Sequence, residues 1–135
     1  MQSLAAEVRA PAWILLEGPM GAGKSTSARY LIPALGGALR PEGSPTFALA
    51  HEYPANGTRL IHLDLYRIED EADLEAAGIP AYFWESSAIV LSEWTSRFPG
   101  LYEALELDSR TPLYRIELMP EQDPDLRKVT ILQRL

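Results

Sequence analysis

A chain of 135 residues, 47% of them hydrophobic, has enough apolar side chains to form a core and fits one compact domain, residues 1–135. It contains no cysteine and two histidines, which excludes disulfide scaffolds, cysteine-based zinc sites and thiol catalysis and disfavours a histidine-rich metal site. The formal net charge of -7 repels phosphate backbones, so direct, tight binding to nucleic acid is disfavoured and any service to RNA is expected to pass through a partner.

The N-terminal residues 1–12 carry Glu7 and Arg9 and lack the apolar region of a signal peptide. No run of about 18 or more apolar residues occurs in the sequence, so no transmembrane helix is expected. We therefore expect a cytoplasmic protein that does not contact a membrane.

The beginning of the sequence predicts a strand, a loop and a helix. The apolar run 13–17 leads into glycines and is typical of a buried parallel strand, and residues 18–23 form a glycine-rich loop. A helix is predicted at 24–35 because apolar residues recur there at helical spacing. Pro33 weakens or kinks this helix, and the glycine pair at 36–37 ends it.

The middle of the sequence predicts an antiparallel hairpin. A polar connection at 39–46 leads into a strand at 47–53, the Asn-Gly pair within 54–57 marks a turn, and a second strand follows at 59–66. Alternation in the second strand separates its polar face from its apolar face: His62, Asp64 and Tyr66 against Ile61, Leu63 and Leu65.

The rest of the sequence predicts short helices and further strands. Residues 70–77 form an acidic helix that Gly78 closes, and residues 80–85 form a loop or a further helical turn. The apolar run 88–91 is another buried strand, followed directly by Ser92, Glu93 and Trp94. Late strands are predicted at 104–107, 114–118 and 128–132. This order of elements indicates an α/β fold of the three-layer P-loop NTPase-like kind, with a mixed β-sheet and flanking helices.

The glycine-rich loop carries the most specific motif. Residues 18–25 read G-P-M-G-A-G-K-S and match G-x-x-x-x-G-K-[ST] in full. Glycines let the backbone turn tightly, so N–H groups point at phosphate oxygens, and the following helix adds its positive N-terminal end. The lysine is predicted to contact the β- and γ-phosphates of ATP or GTP, and the serine hydroxyl to bind Mg²⁺. The predicted nucleotide-binding residues are Gly21, Ala22, Gly23, Lys24, Ser25 and Thr26.

Two carboxylates are candidates for metal binding and hydrolysis. Glu93 follows a buried strand, which is the expected place for a second Mg²⁺ anchor; the alternative is an ordinary solvated carboxylate. Asp64 lies within a strand, where a charge is costly unless it is paired or faces a polar cleft. It is predicted to polarise the attacking water or to bind the hydration shell of Mg²⁺; the alternative is a surface ion pair with Arg67 or Arg59.

Three further residues have competing interpretations. Residues 44–47, S-P-T-F, connect the first helix to the next strand, and Thr46 is predicted to donate its hydroxyl to the phosphate or the metal. The alternative for this segment is a turn that starts a strand. Trp94 taken alone is typical of a core residue. His62 fits a packing role better than that of a general base.

Four motifs in a fixed order resemble one family: residues 18–26 (G-P-M-G-A-G-K-S-T), 44–47 (S-P-T-F), 62–67 (H-L-D-L-Y-R) and 93–94 (E-W). They resemble the bacterial TsaE family, once called YjeE, which comprises small P-loop ATPases needed for the threonylcarbamoyl modification of adenosine in tRNA. The resemblance covers roughly residues 13–118. The H-x-D-L-Y-R segment is the most telling, because generic P-loop proteins lack it.

The resemblance implies a role for each matching residue. Lys24 and Ser25 hold phosphate and Mg²⁺, and Glu93 is the second Mg²⁺ anchor. Asp64 acts near the γ-phosphate during hydrolysis, and Thr46 belongs to a mobile switch segment. These roles make Asp64, Glu93 and Thr46 the catalytic candidates.

The resemblance also implies contacts outside the main motifs. Trp94 lies near the nucleotide, and Arg115 corresponds to an arginine that the family carries in a late strand. The implied partners are the TsaB and TsaD proteins, and ATP hydrolysis resets their complex between rounds of transfer. The threonylcarbamoyl transfer itself belongs to a partner, so tRNA is reached only indirectly.

The loop departs from the family pattern at three positions. Pro19 and Met20 stand where the family usually has Asp and Leu, and Ser25 stands where it often has Thr. Of these, only Pro19 removes a backbone N–H donor. The preference for ATP over GTP stays open at this stage.

Three other functions compete with a partner-dependent ATPase. A small P-loop kinase acting on a metabolite would need an arginine-rich lid, but the sequence shows no such cluster. The candidate arginines are scattered: Arg67, Arg97, Arg110 and Arg115. A GTPase switch would need an N-K-x-D segment, and the sequence has none. A non-catalytic, nucleotide-dependent binding module lies close to the first interpretation.

Overall fold

The structure, a computed structural model, describes residues 2–19, 24–37, 49–55, 57–120 and 127–134. Along these residues the helices are α1 (Gln2–Glu7), α2 (Lys24–Ala34), α3 (Glu71–Ala76), α4 (Ile79–Trp84) and α5 (Pro99–Leu107). A short 3-10 turn covers Thr95–Arg97. The strands are β1 (Ala12–Glu17), β2 (Ala50–Ala55), β3 (Thr58–Asp64), β4 (Ile89–Glu93), β5 (Leu113–Pro120) and β6 (Arg127–Arg134).

All of these strands join one mixed sheet in the order β2-β3-β4-β1-β5-β6. The four central strands are parallel, and β2 and β6 run antiparallel at the two edges. β1 lies between β4 and β5, and all of its residues are buried, which explains its apolar sequence. The predicted α/β fold with a mixed sheet is therefore confirmed.

Two apolar cores cover the two faces of the sheet. On one face α1 and α2 pack against alternate residues of β1, with Leu31 and Ile14 in the same cluster. On the other face α3, α4 and α5 pack against the intervening residues, with Leu105 and Leu15 in a second cluster. This alternation follows from the two-residue period of a strand and produces the predicted three layers. Within the part of the chain described, the helices lack the length and hydrophobicity that crossing a membrane requires.

The strand predicted at 104–107 is wrong, because these residues form the end of helix α5. α5 begins at Pro99, a residue favoured in the first helical turn, and buries Leu101 and Leu105. The two leucines are four residues apart, which is the spacing of one helix face, and a window of four residues was too short to show it. The other two late strands are confirmed as parts of β5 and β6.

The predicted hairpin is confirmed with a tighter turn. β2 pairs with β3 as far as Ala55↔Thr58, so Pro54 lies in the strand and not in the turn. Proline is tolerated at this position because β2 is an edge strand. Gly57 has a φ of 83°, as a two-residue hairpin turn requires. β3 ends at Asp64, two residues before the predicted end of the strand.

Other predicted elements are confirmed or lie outside the described residues. The predicted helix at 24–35 is α2, the acidic helix is α3, and residues 80–85 largely belong to helix α4. Four predicted features fall wholly or partly outside the described residues: the glycine loop at 20–23, the connection 39–46, the start of the strand at 47–48, and Asn56 of the turn.

The sheet brings the ends of three parallel strands to one edge. Glu17, Asp64 and Glu93 are the last residues of β1, β3 and β4, and the register aligns Asp64 with Glu93. From β1 the chain passes through α2 towards the β3 side, whereas α5 leads from β4 to β5 on the other side of β1. Ligand sites of open α/β sheets lie at such topological switch points. A ligand site is therefore expected at this edge of the sheet, beside the end of β1.

Asp108 joins the ends of α4 and α5 and offers a test of this packing. Its Oδ2 accepts hydrogen bonds from Trp84 Nε1 and from Arg110 Nη2, each at 2.8 Å. These contacts, those with Arg110 first, lower the pKa of Asp108. We expect Asp108→Ala to reduce the free energy of unfolding by about 1 kcal/mol at neutral pH, measured by urea denaturation.

The pH dependence has a defined sign. Because the folded-state pKa of Asp108 is lowered, its contribution is present above the unfolded-state value of about 3.9 and is lost as the pH falls below it. Glu103→Ala, which removes an exposed carboxylate from the same helix α5, is the control. An equal loss of stability in both variants would contradict the role of the Asp108 contacts.

Candidate functional site

Lys24, the first residue of α2, holds its ammonium group against the beginning of the glycine-rich loop. Nζ donates hydrogen bonds to the carbonyl oxygens of Gly18 and Pro19, the latter at 2.8 Å. It also lies 3.7 Å from the ring centroid of Trp94, in a cation–π contact. The lysine is only 5% exposed. These contacts fix the ammonium between the end of β1 and the residue that follows β4.

The surroundings of Lys24 combine burial with negative charge. Burial lowers the pKa of Lys24, and the charges of Glu93, Glu17 and Asp64 oppose this shift. These carboxylates end the three parallel strands that meet at this edge. The site therefore pairs a cation, which attracts anions, with carboxylates, which attract metal ions.

Glu93 ends β4 with a carboxylate that is buried and held. The residue is 1% exposed, and its Oε2 lies 2.6 Å from Nε2 of His62 on the neighbouring strand β3. The N–H of Leu65 donates to the carbonyl oxygen of Glu93 at 3.2 Å. Glu93 is therefore not the solvated carboxylate of the alternative interpretation. His62 is hydrogen-bonded to this carboxylate in addition to packing against its neighbours.

Asp64 is half-buried beside the end of β4. Its Oδ1 accepts a hydrogen bond from the N–H of Tyr66 at 3.1 Å, which shapes the turn after β3. Arg59, one partner of the alternative ion pair, pairs instead with Glu52 at 3.2 Å. Asp64 thus stabilises its own turn and also adds negative charge near Lys24.

Trp94 connects the segments that follow β3 and β4. Its φ of 68° lies in the left-handed region, which a bulky side chain rarely adopts. Its ring is 5.2 Å from that of Tyr66, and Nη1 of Arg97 donates to the carbonyl oxygen of Tyr66 at 2.5 Å. A backbone held in an unfavourable region often marks a functional position. Here it places the indole ring over the ammonium of Lys24.

Glu17 is a site residue that sequence reasoning missed. It precedes the loop directly, and its Oε1 is buried without a hydrogen-bond partner among the described residues. Burial raises the pKa of Glu17, and hydrogen bonding with Ser96 and the charges of Lys24 and Arg115 oppose this shift. A signal was present in the sequence, because a carboxylate closes an otherwise apolar strand, where a buried charge is costly.

Several predicted site residues are not described in full. Gly21, Ala22, Gly23 and Thr46 lie outside the described residues, and of Ser25 only the backbone, in the first turn of α2, is described. Thr26, the next residue, is exposed. Their predicted contacts with nucleotide and metal stay predictions.

Arg115 lies apart from the residues around Lys24. The register of β5 aligns it with Leu15, so it occupies the face of the sheet opposite to that of Glu93, which is aligned with Leu16. Its Nη1 donates to the hydroxyl oxygen of Tyr102 at 2.9 Å on α5. Its predicted contact with nucleotide stays a prediction.

The donors at this edge fit Mg²⁺. Glu93 and Asp64 supply aligned carboxylates, and Ser25 lies in the first turn of the helix that follows the loop. The described residues contain no group of three or more His, Cys, Asp or Glu side chains that could hold a metal ion alone. Mg²⁺ is usually bound by one or two carboxylates together with phosphate oxygens and water, and the aligned carboxylates of Glu93 and Asp64 match that set of donors.

A glycine-rich loop that joins a central parallel strand to a helix, with lysine and serine at its end, defines the P-loop class of α/β folds. Within this class the chain belongs to the TsaE family, because the family model described as "Threonylcarbamoyl adenosine biosynthesis protein TsaE" matches residues 1–127. The family indicated by the four sequence motifs is thereby confirmed.

Curated relatives support this membership. The tRNA threonylcarbamoyladenosine biosynthesis protein TsaE of Haemophilus influenzae is 38% identical over 88 residues, which are 65% of this chain and 54% of that protein. The protein of the same name from Nostoc sp. is 43% identical over 93 residues, 64% of this chain and 54% of the relative. The Synechocystis sp. protein is 36% identical over 108 residues, 74% and 64% of the two chains. The matched part thus spans about half the length of the first two relatives.

A solved structure supports the fold. The crystal structure of YdiB from Bacillus subtilis is similar with a TM-score of 0.62 and 23% sequence identity. The similarity covers 98% of this chain and 75% of that one.

The buried carboxylate of Glu17 provides a test of the electrostatics at this edge. We expect Glu17→Gln to raise the free energy of unfolding by about 1–3 kcal/mol at neutral pH, because a neutral amide avoids the cost of an incompletely satisfied buried charge. Since the folded-state pKa is raised, the favourable contribution of Glu17 is full below the unfolded-state pKa of about 4.3 and is lost as the pH rises through the folded-state pKa. The gain from glutamine should therefore shrink towards pH of about 4.

The measurement is urea unfolding at several pH values. Glu117→Gln is the matched control, because Glu117 is aligned with Glu17 on β5 and is only half-buried. If the Glu17→Gln variant is less stable than the natural protein at neutral pH, the charge of Glu17 is adequately paired, which contradicts the expected cost of its burial.

Proposed function

We propose that the chain binds ATP with Mg²⁺ and hydrolyses it as the ATPase component of tRNA threonylcarbamoyladenosine biosynthesis. It acts in complex with TsaB and TsaD, which stimulate a weak intrinsic activity, and hydrolysis resets the complex between rounds of transfer. One observation carries the proposal: the buried ammonium of Lys24 is held at a complete P-loop sequence and bordered by the carboxylates that end β1, β3 and β4.

Phosphate binding rests on Lys24 and on the start of α2. This helix has 11 residues, so its first turn offers N–H groups and the positive end of a helix dipole to an anion. The ammonium of Lys24 adds a full charge, which suits the β- and γ-phosphates. The ring of Trp94 covers this ammonium, which reduces its exposure to water and strengthens its attraction for an anion.

Metal binding and water activation rest on the residues around Glu93. Glu93 and the Ser25 hydroxyl would hold Mg²⁺, which would supply positive charge to offset that of the phosphates. The Glu93 carboxylate is suited to this role because it is buried and hydrogen-bonded. Asp64, aligned with it on β3, orients the attacking water, and the Thr46 hydroxyl contacts the γ-phosphate or the metal.

The pathway rests on family membership. The family model and the curated relatives carry names that place them in threonylcarbamoyladenosine biosynthesis. The net charge of -7 disfavours tight binding to tRNA, so the chain reaches tRNA through its partners in the cytoplasm.

A small P-loop kinase acting on a metabolite is the alternative. Such an enzyme needs arginines that are available to enclose the transferred phosphate. In this structure Arg97 donates to backbone carbonyl oxygens, Arg110 to Asp108 and Arg115 to Tyr102. These arginines stabilise the fold, which favours the ATPase.

Removal of the Lys24 charge tests phosphate binding. We expect Lys24→Ala to weaken the affinity for MgATP about 10- to 100-fold, because a charged hydrogen-bond donor to the phosphates is lost. Isothermal titration calorimetry gives the affinity. Arg29→Ala, which removes a positive charge from an exposed position on the same helix, should leave it nearly unchanged. If the folded natural protein binds no nucleoside di- or triphosphate in the presence of Mg²⁺, the proposal fails.

A second measurement separates the ATPase from the kinase. Phosphate release from ATP is followed with and without the purified TsaB and TsaD proteins, and strong stimulation is expected. Glu93→Gln should reduce the stimulated rate by about 100-fold or more, because the Mg²⁺ anchor is weakened. Transfer of the γ-phosphate to an added small molecule, with no effect of the partners, would support the kinase instead.

A further inference from the structure

We infer that His62 is a positioning residue whose imidazole holds the Glu93 carboxylate in the orientation needed for Mg²⁺. The inference deepens the proposed function and rests on it. It starts from the distance of 2.6 Å between His62 Nε2 and Glu93 Oε2. A carboxylate only accepts hydrogen bonds, so Nε2 is the nitrogen that donates.

The two side chains meet because of the sheet register. β3 and β4 are parallel, with His62 aligned with Leu91 and Asp64 aligned with Glu93. His62 therefore lies two residues before the carboxyl end of β3, on the face of the sheet that also carries Glu93. Their side chains are 16% and 2% exposed, so the hydrogen bond is shielded from water.

The histidine is itself held in place. The residues on either side of it in β3, Ile61 and Leu63, are fully buried in the core on the opposite face. The backbone of Glu93 is fixed by the hydrogen bond from Leu65. Both partners of the His62–Glu93 contact thus stand on rigid strands, and sites built on strands hold their geometry better than sites built on loops.

A hydrogen bond from His62 suits a carboxylate that serves a metal ion. The glutamate side chain has several rotatable bonds, and a donor to Oε2 selects one orientation of the group. Ligating carboxylates are commonly held by such outer partners, whose loss typically costs about 10- to 100-fold in metal affinity. The contrary explanation is that His62 only satisfies a buried polar group. That explanation predicts a change in stability and no change in Mg²⁺ dependence.

The test compares two variants of similar size at constant pH. His62→Leu removes the donor, whereas His62→Gln retains an N–H₂ group near the position of Nε2. The affinity for ATP is measured by calorimetry without Mg²⁺ and at increasing Mg²⁺ concentrations. We expect His62→Leu to raise about 10- to 100-fold the Mg²⁺ concentration at which half of the Mg²⁺-dependent gain in ATP affinity is reached. In His62→Gln this concentration should be close to that of the natural protein. The affinity for metal-free ATP should be unchanged in both variants.

Two controls tie the effect to Glu93. His51→Leu removes the histidine aligned with His62 on the edge strand β2, one strand further from Glu93, and should leave the Mg²⁺ dependence unchanged. In a Glu93→Gln background, His62→Leu should have no further effect, because the residue that it positions is already altered.

The outcomes are distinguishable. If His62→Leu changes the thermal midpoint but not the Mg²⁺ dependence, or if His62→Gln is as impaired as His62→Leu, the positioning role is overturned. If His62→Leu fails to fold, His62→Asn, whose shorter amide does not reach the position of Nε2, takes its place with Glu93 intact, and an undiminished Mg²⁺ dependence there overturns the inference. If the natural protein binds ATP without any Mg²⁺ dependence, the Mg²⁺ site of the proposed function is overturned, and so is the inference about His62 that rests on it.

Discussion

The site depends on keeping one ammonium group charged in a place with little water. Burial of a charge is costly, and Lys24 compensates with hydrogen bonds to two loop carbonyl groups and with the ring of Trp94. The carboxylates of three strand ends add long-range attraction that opposes the burial-induced fall in its pKa. Since these groups belong to separate elements, the environment of the lysine exists only when the sheet is formed.

The parallel sheet does most of the positioning. Alignment of β3 with β4 places Asp64 next to Glu93, and the two-residue period brings His62 to the same face. The same period turns Glu17 towards the opposite face of β1, where Ser96 of the 3-10 turn is its neighbour. Glu17 therefore lies on one face of the sheet and Asp64 and Glu93 lie on the other, although the charges of all three oppose the fall in the pKa of Lys24.

How far the sequence could predict this arrangement depends on the range of each interaction. β1, α2, the hairpin and β4 follow from local patterns, and the P-loop motif identifies Lys24 without any tertiary information. The His62–Glu93 hydrogen bond joins residues 31 positions apart, and the orientation of Arg115 depends on the register of β5 with β1. No local sequence pattern predicts the register of β3 with β4 or that of β5 with β1. The burial of Glu17 likewise depends on distant residues that cover the end of β1.

Glu93 and Trp94 are consecutive residues, so the buried carboxylate and the ring that contacts the Lys24 ammonium belong to one short segment. Trp94 adopts a left-handed backbone conformation that costs roughly 1–3 kcal/mol for a residue of its kind. Surrounding contacts hold it there, among them the buried hydrogen bond between the hydroxyl groups of Ser92 and Thr95 at 2.7 Å. The same short turn therefore sets the carboxylate proposed for the metal and the ring that covers the cation.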